Sequence, residues 1–189
     1  MTVGGCGKTS TLRAIAGLET PSGGEISIDS ESGQFRRLLD KSGGLAELAV
    51  RYYETVAEMV EALRPDVVGH LDLIRRHAGP EAKLDTPRIR SAATRALEAA
   101  SDCNSILDLN TAGYRKGLGT PYPAPWLVQL ANVMGIGFCF GDDSHGPDQV
   151  GAGIEDAREY LLENGVARVT TLTREEGEMV RKAAEITYP

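Results

Sequence analysis

From residue 44 onward, stretches with helical periodicity alternate with short apolar runs, and this alternation constrains the fold more than any other feature. Leu45, Leu48, Ala49, Tyr52, Val56, Met59, Val60 and Leu63 recur at intervals of three and four, which predicts an amphipathic helix over 44–64 that Pro65 ends. A strand through Val67 and Val68 follows. Thr86-Pro87 supplies an N-cap and a proline at the first helical position, and Ile89, Ala93, Ala96, Leu97 and Ala100 then form one apolar face. Further on, the pattern predicts strands over 105–109, 136–140 and 168–172. They are separated by helices over 126–134 and 154–163, and a last helix covers 175–185. Strict alternation implies parallel strands joined by right-handed crossovers, so the expected fold class is α/β.

The apolar runs end in polar residues of particular types. Val67-Val68 leads into His70, Ile106-Leu107-Asp108-Leu109 into Asn110 and Thr111, and Phe138-Cys139-Phe140 into Asp143 and His145. Parallel sheets build their sites at the carboxyl ends of strands. Neutral imidazole and carboxylate together suit borderline divalent metals such as zinc, manganese or iron. His70, Asp143 and His145 are therefore the candidate metal ligands. Asp143 and His145 face one side only if that stretch stays extended; a turn there splays them. Each residue alone also fits an ordinary loop role, and His77, in Arg75-Arg76-His77, is expected to be solvated.

Composition excludes several function classes. A formal net charge of −7 disfavours a general nucleic-acid or anionic-membrane binder, both of which need a basic face. No apolar run approaches the roughly 20 residues of a membrane helix, and Lys8 and Arg13 interrupt any signal-like start. Cys6, Cys103 and Cys139 form no CxxC pair, so reduced thiols and a cytoplasmic location are expected.

Several consecutive motifs resemble one family. Arg51-Tyr52-Tyr53-Glu54, Leu63-Arg64-Pro65-Asp66-Val67-Val68-Gly69-His70-Leu71-Asp72-Leu73, Leu109-Asn110-Thr111-Ala112-Gly113-Tyr114-Arg115-Lys116, Pro121-Tyr122-Pro123-Ala124-Pro125-Trp126 and Gly141-Asp142-Asp143-Ser144-His145 occur in the order found in the carboxyl-terminal half of the histidinol-phosphate phosphatases of the polymerase and histidinol phosphatase (PHP) superfamily. The resemblance implies part of a TIM-like (β/α) barrel over 43–189 and a cluster of divalent metals. His70 would serve the central pair of ions, Asp143 the first ion and His145 the third. Asn110 and Arg115 would lie beside the substrate, with Arg115 as a bidentate phosphate clamp. The implied activity is metal-assisted hydrolysis of a small phosphate ester, histidinol phosphate, in histidine biosynthesis; no catalytic side chain is assigned beyond these ligands. The family opens with a His-x-His pair, whereas the three histidines here are His70, His77 and His145, and Asp142 stands where the family has Ser. An incomplete ligand set and doubtful activity are expected. Half of a barrel also leaves strand edges open to self-association.

The first 28 residues read differently. Val3 to Thr9, running on to Ser22-Gly23-Gly24-Glu25-Ile26, resembles the Walker A region of ABC transporter ATPases. Gly7, Lys8 and Thr9 match the end of the G-x-x-x-x-G-K-[ST] pattern, but Thr2 stands where its first Gly belongs. No Walker B carboxylate or ABC signature follows. A short helix over 9–16 and a brief strand over 25–28 are expected, with 29–42 a junction. Three readings therefore stand open: a histidinol-phosphatase-like phosphomonoesterase, an ATP-binding fragment built on Lys8, and a catalytically silent chimeric remnant.

Overall fold

A computed structural model describes residues 33–79 and 82–188. The segment carrying Gly7, Lys8 and Thr9, with the expected helix 9–16 and strand 25–28, lies outside the described residues. Helix α1 (Gly33–Ser42) occupies most of the expected junction. Helix α2 (Leu45–Leu63) ends where Arg64 turns into the left-handed region at φ 44° and donates its N–H to the Val60 carbonyl, one residue before Pro65. Strand β1 (Val67–Val68), the single turn α3 (Arg75–Ala78) and helix α4 (Pro87–Asp102) follow. Thr86 caps α4, its hydroxyl accepting from the Ile89 N–H. Next come β2 (Ile106–Asn110), the turn α5 (Ala112–Arg115), α6 (Pro125–Val133), β3 (Phe138–Gly141) and α7 (Ile154–Glu163).

The three strands form a parallel sheet in the order β1-β2-β3, with Val68 opposite Leu107 and Asp108 opposite Cys139. Side chains alternate across a strand. Leu107, Leu109 and Phe138 therefore enter the helix-packed core, while Asp108 and Cys139 share the other face. Helices α2 and α4 pack on each other through small side chains: Ala49, Ala57, Ala93, Ala96 and Ala100 are fully buried. Small residues let the axes approach closely enough for Tyr53, Leu97 and Ile89 to fill the gaps between them.

The alternation fails at its end. The expected helix over 175–185 is strand β5 (Glu178–Glu185), paired antiparallel with β4 (Arg168–Glu175), and this hairpin is a separate two-stranded sheet. Glu-Met-Val-Arg-Lys-Ala-Ala-Glu is rich in helix formers, which explains the expectation. Glu176-Gly177 decides against it: both residues take positive φ, 50° and 92°, as a two-residue hairpin turn demands. Strand β4 runs beside the start of β3, where a side chain on Gly137 would strike Thr170. Arg181 of β5 reaches back to Asp66 and to the Asn104 carbonyl, at the amino ends of β1 and β2. The fold is mixed α/β with a parallel sheet, and the described residues form no closed barrel.

Leu97 is fully buried in the α2–α4 seam, so Leu97→Ala removes buried methyl groups and leaves a cavity. It is expected to cost about 2–5 kcal/mol of unfolding free energy in a denaturant titration. A loss within error of zero would show that the two helices do not pack as described.

Candidate functional site

The carboxyl ends of β1, β2 and β3 converge on one cluster. His70 follows β1 and Asp143 follows β3, and both hold left-handed backbone conformations, at φ 51° and φ 49°. That region is sparsely used by non-glycine residues, although Asp and His tolerate it better than most. Each turn bends the chain sharply at the strand end and points its side chain back over the sheet. His70 Nε2 lies 3.8 Å from Asp143 Oδ2, and its Nδ1 lies 3.9 Å from Asp108 Oδ2. The imidazole thus stands between two carboxylates, one from each of the other strand systems.

Asp108 is only 13 % exposed, against 38 % for Asp143. It is held by the Asn110 amide, whose Nδ2 donates to Asp108 Oδ2 at 2.8 Å. The Asn110 Oδ1 accepts from the Ala112 N–H at 2.9 Å, so the amide is committed at both ends. Gly141 makes room for the carboxylate, since a Cβ there would sit 2.1 Å from Asp108 Oδ1. Burial raises the Asp108 pKa, and the nearby carboxylates of Asp143 and Asp142 add to it; the Asn110 bond and His70 oppose this. Cys139 shares the face with Asp108, and burial, reinforced by that carboxylate, pushes its thiol up to about 11.

Two loops are locked together beneath His70. The Tyr52 hydroxyl donates to the His70 carbonyl at 3.3 Å and accepts from the Leu73 N–H at 3.2 Å, tying the turn to α2. Asp72, fully buried, accepts from the Ala124 N–H at 2.8 Å and from Arg75 at 3.2 Å. Arg75 also donates to the Pro121 carbonyl and the Thr120 hydroxyl. Burial raises the Asp72 pKa against the pull of Arg75 and the Ala124 N–H. The clamp brings Tyr122 beside the site, its ring centroid 5.4 Å from that of His70. Burial, with Asp72 nearby, pushes the Tyr122 phenol up to about 12, which keeps it a neutral O–H at physiological pH.

The other expected residues fall differently. His145 does not join His70 and Asp143. Its Nδ1 sits 2.7 Å from the Asp143 carbonyl and its N–H donates to Gln149, because the left-handed turn at Asp143 splays the two residues. Arg115 donates to the carbonyls of Asp142 and Asp143, bracing the turn from outside. Asp142 is a turn-capping residue, accepting from the Ser144 and Gly151 N–H groups; the neighbouring Ser144 side chain, then these N–H groups, lower its pKa. His77, exposed as expected, also lies 5.6 Å from the Phe35 ring. Asp108 and Tyr122 were absent from the expected site. Asp108 was detectable: in Ile-Leu-Asp-Leu-Asn, alternation puts the carboxylate on the face opposite Leu107 and Leu109.

No group of three or more metal-ligating side chains gathers among the described residues. A multi-metal cluster does not fit them. His70 Nε2 and Asp143 Oδ2, 3.8 Å apart, are the two donors that could hold one divalent ion.

No protein-family model matches the chain. A Schizosaccharomyces pombe protein named "Probable histidinol-phosphatase" is 31% identical over 153 residues, covering 79% of this chain and 50% of that protein. A Deinococcus radiodurans protein of the same name is 36% identical over 121 residues, covering 63% of this chain and 44% of its own length. The crystal structure of a Listeria monocytogenes protein provisionally named a histidinol phosphatase superposes with a TM-score of 0.62 at 27% identity, covering 69% of this chain and 51% of the other. The chain carries a histidinol-phosphatase-like region. It spans about half the length of the curated relatives it matches. A separate stretch of 28 residues, 15% of the chain, is 71% identical to the spermidine/putrescine import ATP-binding protein PotA of Trichodesmium erythraeum, of which it covers 7%. None of the described helices is long and apolar enough to cross a membrane.

Two outcomes follow from the packing around Asp108. Gly141→Ala is expected to displace the carboxylate and cost about 1–3 kcal/mol, the range for overpacking a filled site, read by chemical denaturation. An unchanged midpoint would mean that Asp108 has room to move. With its thiol at about 11, Cys139 should resist iodoacetamide at pH 8 in the native chain and react readily once unfolded. Rapid native alkylation, located by peptide mass spectrometry, would contradict its burial.

Proposed function

We propose that the chain is a metal-dependent phosphomonoesterase of the histidinol-phosphatase type, acting on a small phosphate ester such as histidinol phosphate. The observation that carries the reading is the opposed pair His70 Nε2 and Asp143 Oδ2, 3.8 Å apart at the carboxyl ends of parallel strands. The names of the relatives and the structural likeness support the substrate class. A zinc, manganese or iron ion bound there would acidify water and polarise a phosphate oxygen.

The chain's own residues then divide the work. His70 and Asp143 would hold the ion. Arg115 uses two contacts to brace the Asp142–Asp143 turn, and a guanidinium has five N–H donors, so it retains donors for phosphate oxygens. Asn110, committed at both ends of its amide, acts on the site through Asp108. The Tyr122 ring walls one side of the imidazole and limits water there. His145 joins the pair only by rotating off the Asp143 carbonyl.

Two protein donors hold a divalent ion weakly, because tight sites supply three or four. Purified chain should therefore carry at most one ion, easily removed by chelator. Phosphate release from histidinol phosphate should be slow, stimulated by manganese or zinc, and abolished by chelation. His70→Ala and Asp143→Ala should each lower it by at least the about 10- to 100-fold typical of losing even an outer-sphere metal partner. Turnover that survives both chelator and His70→Ala would refute the proposal, and two or more tightly bound ions would refute the two-donor site.

A further inference from the structure

We infer that the cleft between the segment 82–86 and the stretch from Leu118 to the start of α6 is a second binding site. Its ligand is a small anion with a flat apolar body, an aromatic phosphate monoester or an aromatic carboxylate. The cleft has a volume of about 350 Å³, within the range of small-molecule sites. None of His70, Asp108, Tyr122 and Asp143 lines it. The inference therefore stands apart from the reading of His70 and Asp143 as metal donors.

The walls are apolar and one end is cationic. Leu84 and Ala124 are buried against the core, and with Ala82 and Leu118 they line the cleft with hydrocarbon. Trp126, half-buried in the first turn of α6, adds its indole. The Arg90 guanidinium lies 5.0 Å from the centroid of that ring and holds it in place, and a ring so held is a platform for a second aromatic group. Asp85 also lines the cleft, but Arg90 meets both of its oxygens, Nη2 reaching Oδ2 at 3.0 Å. Arg75, only 16 % exposed, uses Nη1 on Asp72 and the Pro121 carbonyl and Nη2 on the Thr120 hydroxyl. A guanidinium has five N–H donors, so two remain on a group that lines the cleft. Lys83 is exposed there and makes no ion pair among the described residues. With Asp72 offsetting Arg75 and Arg90 offsetting Asp85, Lys83 leaves one positive charge uncompensated. An anion answers both that charge and the spare Arg75 donors, whereas a neutral or cationic aromatic leaves them unmet.

Trp126 is the single tryptophan of the chain, so its fluorescence reports on this cleft. The probes are phenyl phosphate and benzoate, with benzyl alcohol as the neutral counterpart, added to the full chain in the presence of chelator. At least one of the two anions should change the emission saturably below about 10 mM, the range that ligand efficiency allows for so few atoms. The tighter of the two identifies the anionic group that the cleft prefers, and benzyl alcohol should bind about 10-fold more weakly. Lys83→Met, a surface change, should weaken the anion by about 3- to 10-fold, and Ala82→Phe, which fills the cleft, should abolish the response. His70→Ala should leave the affinity as it was. The proposal is overturned by an emission that neither anion changes saturably, by benzyl alcohol binding as tightly, or by an unaltered affinity in folded Lys83→Met. A response lost in His70→Ala also overturns it, since binding would then belong to the other site.

Discussion

The buried pair of Asp72 and Arg75 is the constraint on which the site depends. Asp72 lies wholly out of water, and a carboxylate there is tolerable only because a guanidinium and a backbone N–H meet it. The pair's outer partners come from a different loop: the Ala124 N–H bonds Asp72, and Pro121 and Thr120 accept from Arg75. The pair therefore works as a rivet between the turn after β1 and the segment after α5. His70 sits two residues before one end of the rivet, and Tyr122 sits between the groups that hold the other. With the rivet in place, a two-residue strand is enough to position His70.

The same economy recurs at β3. The turn at Asp142 and Asp143 has little regular structure behind it, yet Asp142 caps it from within and Arg115 braces it from outside. A rigid site is thereby built from loops attached to a small sheet, with polar bonds doing what longer strands would do in a larger one. The turn that directs Asp143 inward carries His145 away.

Much of this was legible in the chain. Helices α2, α4 and α7 and the three parallel strands announce themselves through apolar periodicity, and the polar residues at the strand ends mark where a site would form. The hairpin was not legible from propensity, because Glu178 to Glu185 favours a helix by composition, and only Glu176-Gly177 betrays the turn. The splaying of Asp143 from His145 depends on one left-handed residue, which neighbouring sequence does not dictate. Asp108 is hard to read from sequence because a carboxylate inside an apolar run looks like a strand interruption, whereas alternation puts it on the face away from the core.

The central proposal is that His70 and Asp143 would together hold a divalent cation in this chain. Paramagnetic broadening by sub-stoichiometric manganese, mapped residue by residue on backbone amide signals, tests it most directly. The account predicts broadening centred on 69–71, 108–110 and 142–144, abolished together by His70→Ala. Broadening centred on residues 7–9, or spread over the acidic surface with no such centre, would contradict it.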